Sequence, residues 1–166
     1  DPTVVADDPE GKIFPGPIRT WTGFDEPALL CLSKGKMIAM MRTEGSDGYL
    51  YEAASLDDGK TWSTPMKTPM WGHPAHLLRL RSGRIVCAYG YRRPPYGIRA
   101  CLSEDEGETW DIKNEKVLRS DGLGADLGYP ASVQLKDDSI LTVYWFHGEG
   151  PNPDVRYIAG TIYSEE

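Results

Sequence analysis

The chain spells one eight-residue string twice. SLDDGKTW runs from Ser55 to Trp62 and SEDEGETW from Ser103 to Trp110, agreeing in the order Ser-x-Asp-x-Gly-x-Thr-Trp. A repeat constrains a fold strongly, because each copy must build the same small unit and the units must bury their apolar faces on one another. The repeat also extends beyond the string. EPALLCLSKGKMIAMMR from Glu26, HPAHLLRLRSGRIVCAYG from His73 and YPASVQLKDDSILTVYW from Tyr129 each open on x-Pro-Ala. Each continues through an apolar run, a polar turn and a second apolar run. A Gly- or Pro-bearing loop then leads to a third run, YLYEAAS, GIRACLS or VRYIAGTIY. In the first two copies the eight-residue string follows, and after it a further extended stretch, STPMKTPM or DIKNEKVLR.

The runs are short, rich in Ile, Val, Tyr, Thr and Leu, and separated by turn residues, which is the pattern of strands. No stretch sustains a helical period. A four-stranded meander recurring about every 50 residues is the unit of a β-propeller blade. The second runs, such as RIVCAY and SILTVYWF, are almost continuously apolar, as expected of strands covered on both faces by neighbouring blades. The expected fold is therefore all-β, a β-propeller of four-stranded antiparallel blades with about three blades in one partial domain over 1–166. Within it, 1–22 should hold a lone outer strand of a preceding blade (IFPGPIRTW, 13–21). Residues 23–69 and 70–120 should form two blades, and 121–166 a three-stranded last blade. Propellers usually carry four to eight blades, so the chain reads as half of a six-bladed one. Its open ends should expose flat apolar flanks. A homodimer, or a missing N-terminal half, is expected to complete the ring.

Composition narrows the partners. Asp and Glu number 25 against 18 for Lys and Arg, a net charge of −7, and such a surface repels phosphate backbones, so nucleic acid is not an expected partner. No apolar run approaches the roughly 20 residues needed to span a bilayer, and no signal peptide is visible. The cysteines, Cys31, Cys87 and Cys101, form no C-x-x-C. Cys87 and Cys101 lie symmetrically about Arg93–Pro95, so a hairpin there would set them face to face, as a disulfide or as buried thiols. His73 and His76 are separated by Pro74, which forbids the helix that would align them for a metal. No metal or cofactor is expected.

In the repeated turn, Asp57 and Asp105 can accept backbone N–H groups of their own loops, Gly59 and Gly107 tolerate positive φ, and Ser55, Thr61, Ser103 and Thr109 add local bonds. Trp62 and Trp110 are large enough to plug the space between blades. The turn joins third to fourth strands and so belongs to one end of the blades. The opposite end gathers Asp25, Glu26, His73, Asp126 and Tyr129 at the starts of first strands. It also gathers Arg42, Glu44, Arg92, Arg93, Tyr96, His147 and Glu149 after second strands. The residue before Pro-Ala changes from Glu to His to Tyr among the copies, as expected of positions at a site rather than in a scaffold.

Ser-x-Asp-x-Gly-x-Thr-Trp is the Asp-box of sialidases and related propellers. DEPALLCLSKGKMIAMMR resembles the sialidase blade with a Glu on its first strand and an Arg ending the next. HPAHLLRLRSGRIVCAYGYRRPPYGIRACLSEDEGETW is similar to the following blade, where an Arg precedes the Asp-box strand, and LGYPASVQLKDDSILTVYW to the last blade, which carries a Tyr nucleophile. The likeness runs from about residue 24 to the end and corresponds to the family's C-terminal half. It implies a retaining, exo-sialidase type of hydrolysis of terminal acidic sugars. Tyr129 would be nucleophile, Glu26 its base, and Arg42 with Arg92 or Arg93 the clamp on the sugar carboxylate; His73, Asp25 and Asp126 would be further sugar-binding positions. The chemistry is coherent: guanidinium forks match carboxylates, a neutral phenol escapes the repulsion a carboxylate nucleophile would meet, and a phenol needs a base to become nucleophilic. The resemblance also implies an extracellular or periplasmic setting. The family's Phe/Tyr-Arg-Ile-Pro arginine and acid Asp have no counterpart here, since Arg19 in GPIRTW falls at a different strand position. The alternative is a non-catalytic propeller that binds carbohydrate or protein; another glycan specificity on the same scaffold is a third reading.

Overall fold

A computed structural model describes residues 2–148 and 155–166. Among these, eleven strands form three antiparallel sheets. The first sheet contains β1 (Gly23–Cys31), β2 (Met37–Glu44), β3 (Tyr49–Ser55) and β4 (Met66–Trp71) in that order. The second repeats it with β5 (Ala75–Arg79), β6 (Ile85–Tyr91), β7 (Gly97–Ser103) and β8 (Lys116–Arg119). The third has β9 (Gly128–Gln134), β10 (Ile140–Phe146) and β11 (Tyr157–Tyr163), with β10 in the middle. The first strand of each sheet packs against the first strand of the next, β1 on β5 and β5 on β9. This is the arrangement of propeller blades around an axis, with the first strands innermost.

Apolar cores between adjacent sheets hold the blades together. Ile38, Met40, Leu50 and Met70 of the first sheet meet Leu77, Ile85, Cys87, Tyr89 and Trp110 of the second. Val86, Ala88 and Ala100 face Ile140 of the third, and Ile98 joins Leu127, Tyr144 and Phe146. Full burial of one Leu, Ile or Phe side chain is worth roughly 1.5–3 kcal/mol. The second sheet is covered on both faces, so every residue of β6 from Ile85 to Gly90 is buried, as the unbroken apolar run requires. β10 behaves differently. Its equally apolar run alternates between buried and open positions because no sheet among the described residues lies over its far face.

The strand expected over 13–21 does not form. The Asp8 carboxylate accepts the backbone N–H groups of Lys12, Ile13 and Phe14 at 2.8–2.9 Å, and Pro15 and Pro17 have none to give. The donors that a ladder would need are therefore spent or missing. The segment folds as an irregular strap on the outer flank of the first sheet instead. It is held by Phe14, which is buried and packs edge-on against Phe24 at 5.2 Å.

Both repeated turns adopt one hydrogen-bond pattern. Asp57 accepts the Thr61 N–H at 2.8 Å and the Thr61 hydroxyl at 2.7 Å, while Ser55 Oγ accepts the Gly59 N–H at 2.9 Å. Asp105, Thr109, Ser103 and Gly107 repeat these bonds at 2.6–2.9 Å. The tryptophans differ. Trp62 Nε1 bonds its own loop at the Gly59 carbonyl, 3.0 Å away, whereas Trp110 is buried between the first two sheets and donates to Glu52 Oε2 at 3.1 Å. Cys87 and Cys101 stand opposite each other in the β6–β7 ladder as free, buried thiols, and Cys31 is exposed. No helix among the described residues is long and apolar enough to cross a membrane.

Glu52 is the polar joint of that first interface. Burial pushes its carboxyl up to about 7, the nearby Glu108 and Asp105 add to the rise, and the Trp110 bond and Lys36 oppose it. The folded chain therefore holds this proton more tightly than the unfolded one. The associated stability is full below about pH 4.5 and is lost as pH rises through about 7. Thermal melts from pH 4.5 to 8.5 should show this decline in the wild type and a flatter profile in Glu52→Gln. Equal slopes in the two proteins would contradict the assignment.

Candidate active site

Antiparallel pairing puts the start of β1, the end of β2 and the end of β4 at one end of the first sheet, as the partners Asp25–Arg42 and Tyr49–Trp71 record. The repeated turns lie at the other end, past Ser55 and Ser103. Two of the x-Pro-Ala segments carry the same distortion at the near end. Glu26 and Tyr129 have φ of 44° and 51°, in the left-handed region that side chains rarely adopt. The ladders slip beside them, between Asp25 and Ala28 on β1 and between Val143 and Trp145 on the strand facing β9. Such bulges re-aim a side chain, and backbone of this kind costs on the order of 1–3 kcal/mol unless its surroundings hold it. Close approach of the inner strands also depends on Gly90. A Cβ there would lie 2.7 Å from the His73 carbonyl oxygen and 3.1 Å from the Gly128 Cα.

The two distorted residues meet. The Tyr129 hydroxyl donates to Glu26 Oε1 across 103 residues of sequence. Glu26 Oε2 accepts from Arg42 Nη1 at 2.9 Å. Arg42 is heavily engaged, since its other nitrogens face Glu44 and, at 3.7 Å, Asp25. The Asp25 Oδ1 and Arg42 Nε atoms of that last pair are buried without a hydrogen bond. Arg92 enters from beyond β6. Its Nε donates to the Leu127 carbonyl at 2.9 Å and its guanidinium carbon lies 5.8 Å from the Tyr129 ring centre. Among the described residues no carboxylate forms an ion pair with Arg92.

These contacts set the charges. Burial pushes the Glu26 carboxyl up, but hydrogen bonds from Tyr129 and Arg42 and the positive charges of Arg42 and Arg92 outweigh it, so it sits below the usual range. The bond to Glu26 raises the Tyr129 phenol, with burial and the carboxylate charge adding to it. At neutral pH the couple is a neutral phenol on an ionised carboxylate. Asp25 is raised, mainly by burial, with Arg42 opposing. Burial lowers Arg92, and the like charge of Arg42 lowers it further, with the Glu26 carboxylate and Tyr129 opposing. His73 is pushed down to about 4 by burial and by Arg42 and Arg92, so its imidazole is neutral above that pH and can donate or accept a hydrogen bond.

Of the positions singled out from sequence, Glu26, Arg42, Arg92, His73 and Tyr129 share this mouth, with Asp25 and Glu44 behind Arg42. Arg93 turns away from Tyr129: its Nε bonds the Tyr91 hydroxyl at 2.8 Å and its guanidinium lies 4.4 Å from the Trp71 ring centre. Asp126 pairs with Arg156, which stacks on Trp145 at 5.0 Å. His76 is half-buried in β5, where its Nδ1 accepts the Ser132 N–H of β9 at 3.3 Å. Tyr96 packs on the core between the second and third sheets. His147 accepts the Leu123 N–H at its carbonyl, 2.9 Å away, and Glu149 lies outside the described residues. Trp71, whose ring centre is 6.3 Å from that of His73, is the neighbour the sequence reading missed. Its place before the second x-Pro-Ala segment was the available signal.

The family described as BNR repeat-like domain matches residues 4–143. Among solved structures, a protein of unknown function from Dyadobacter fermentans DSM 18053 is 37% identical, with a TM-score of 0.74, over 87% of this chain and 39% of its own. The K499G mutant of NanB sialidase from Streptococcus pneumoniae is 18% identical, with a TM-score of 0.55, over 84% of this chain and 23% of its own. Bacteroides ovatus GH43B, described with a xyloglucan PUL, is 13% identical, with a TM-score of 0.63, over 87% and 27%. At such identities the last two show a shared fold. The chain spans about two fifths of the Dyadobacter protein and less of the others. No curated protein matches it significantly.

The His73 environment can be read directly. Its imidazole should titrate near pH 4 by NMR, and the midpoint should rise in Arg92→Gln because one opposing positive charge is gone. A midpoint near the ordinary 6.5, unmoved by that change, would contradict the description.

Proposed function

Because the chain belongs to the BNR repeat-like domain family, we propose that the mouth formed by β1, β5 and β9 takes an acidic sugar and carries a sialidase-like glycoside hydrolase step. Arg92 is the observation that carries this reading. A half-buried guanidinium without a carboxylate partner among the described residues, in a chain of net charge −7, is a place for an anion from outside. Arg42 already faces Asp25, Glu26 and Glu44. Its part is to orient Glu26, with the ligand carboxylate resting chiefly on Arg92. Tyr129 is 54% exposed and so open to a sugar ring.

In the step itself the Tyr129 oxygen bonds to the anomeric carbon while its proton passes to Glu26, and the bond from that carbon to the leaving oxygen breaks. The leaving oxygen takes its proton from an acid other than these two residues. Water then attacks the anomeric carbon and gives its proton to the conjugate base of that acid, the tyrosyl–sugar bond breaks, and Glu26 returns its proton to the Tyr129 oxygen. A second reading is a site that binds acidic sugars without turnover; the heavy engagement of Arg42 favours it, since one free guanidinium suffices to bind. A fluorogenic sialoside distinguishes them. Hydrolysis that falls about 10²–10⁴-fold in Tyr129→Phe and in Glu26→Gln supports the enzyme. Sugar binding without turnover supports the second reading, and unchanged hydrolysis in both variants overturns the assigned roles.

We infer also that the open flank of the third sheet is covered in use by further blades, of a second copy or of a longer polypeptide. Val133, Ile158 and Ile162 there are 53%, 75% and 63% exposed, an unusual apolar surface for a monomer. Sedimentation of the 166-residue chain at micromolar concentration should show a dimer that weakens in Ile158→Lys. A stable monomer would exclude the pairing of copies.

A further inference from the structure

Arg92 and Arg93 are consecutive, yet their side chains are held by different partners. Arg92 lies beside Tyr129 and Leu127. Arg93 lies beside Trp71 and Tyr91, with its guanidinium 4.4 Å and 5.1 Å from the two ring centres and its Nε fixed on the Tyr91 hydroxyl at 2.8 Å. Trp71 is fixed in turn by a 2.9 Å bond from its indole nitrogen to the Asp47 carbonyl, and its ring meets Tyr91 edge-on at 5.7 Å. Pro94 and Pro95 follow at once and restrict the backbone. Arg93 is thus an exposed arginine whose long side chain is already ordered, with its terminal nitrogens left for another partner.

Charge makes this arrangement informative. Among the described residues Arg42, Arg79, Arg81, Arg84, Arg99, Arg119 and Arg156 pair with carboxylates, whereas Arg92 and Arg93, and Arg19 away from the mouth on the Trp21 ring, do not. Acidic residues outnumber basic ones, 25 to 18, so carboxylates are not scarce. Neither guanidinium of this consecutive pair is in an ion pair, so each can still take an anion from outside. Aromatic rings can hold a guanidinium in place without neutralising it.

We propose that Arg93, held by Trp71 and Tyr91, is a second anion-binding position, and that the ligand of this mouth is an acidic oligosaccharide with two anionic groups. One carboxylate rests on Arg92 beside Tyr129. The second group, a carboxylate or a sulfate on the adjoining sugar, rests on Arg93, with His73, whose ring centre is 6.3 Å from that of Trp71, as a further hydrogen-bonding side chain. This inference rests on the acidic-sugar reading and extends it from a single sugar to a disaccharide unit. A pre-ordered fork loses little entropy on binding, so the second contact adds affinity mainly for ligands that reach it.

Calorimetric titration of the full chain tests it with N-acetylneuraminic acid and glucuronic acid as one-anion probes. Digalacturonic acid, with two carboxylates, and a monosulfated chondroitin disaccharide, with one carboxylate and one sulfate, are the two-anion probes. At least one two-anion probe should bind about tenfold more tightly than the one-anion probes, and which of them does so names the second group. Arg93→Gln should erase that advantage and leave the one-anion affinities unchanged, Arg93→Lys should restore part of it, and Arg92→Gln should weaken every probe. Equal affinity for both kinds of probe in the wild type, or an Arg93→Gln loss shared by all probes, overturns the second position while the acidic-sugar reading stands. Absence of binding by every probe overturns both.

Discussion

Sheet packed on sheet is the interaction on which the rest depends. The middle sheet is buried from both sides, and its β6 and β7 supply Ile85, Cys87 and Tyr89 to one interface and Val86, Ala88, Ala100 and Ile98 to the other. Side chains alternate along a strand, so a strand with apolar residues at every position must be sandwiched. Three inner strands then converge, and the loops at their ends are forced into one neighbourhood. Polar groups that the sequence separates by up to 103 residues meet only because this apolar packing fixes where the strands begin.

At that convergence the electrostatics divide into a satisfied half and an unsatisfied half. Arg42 is ringed by Asp25, Glu26 and Glu44, which fixes Glu26 and leaves the guanidinium little capacity for a ligand. Arg92 has a carbonyl and an aromatic ring for company but no carboxylate partner among the described residues. The first arrangement builds a base next to a phenol; the second supplies attraction for an anion. The first rests on the left-handed backbone at Glu26 and Tyr129. The hydrogen bond between the two side chains joins the distorted points to each other, so each helps to hold the other in place.

Much of the architecture was legible because repetition is legible. Three x-Pro-Ala segments and two copies of one turn set the strand order, and continuous apolar runs marked the sandwiched strands. The reading failed where local chemistry decides. Residues 13–21 have strand-like composition, but the Asp8 carboxylate takes three backbone donors and two prolines lack theirs. β10 has the composition of a sandwiched strand, yet its cover depends on a neighbour that its own sequence cannot specify. At the mouth, the repeat positions of Glu26 and Tyr129 suggested that they share an end. Nothing in RRPPYG indicated that Arg92 turns toward Tyr129 and Arg93 toward Trp71, because that choice is made by the Leu127 carbonyl, 35 residues away, and by the hydroxyl of Tyr91, whose orientation the sequence does not specify.

The two outer flanks are unequal, and this bears on the mouth. The first sheet carries the strap, whose Phe14 reaches Phe24 and, through it, Tyr51. The third sheet leaves open the face that carries Val133, Val143 and Ile158. Trp145 pairs with Ile158 in the β10–β11 ladder, and its ring lies 6.4 Å from that of Tyr129. A sheet laid over this face, as the second lies over the first, would cover the apolar row and bring its own inner-strand loops beside Tyr129. In the proposed step the proton donor for the leaving group, which is neither Tyr129 nor Glu26, would come from such a loop. On the proposed assembly, covering the apolar flank and completing the polar mouth would be one geometric event, because the same inner strands would serve both.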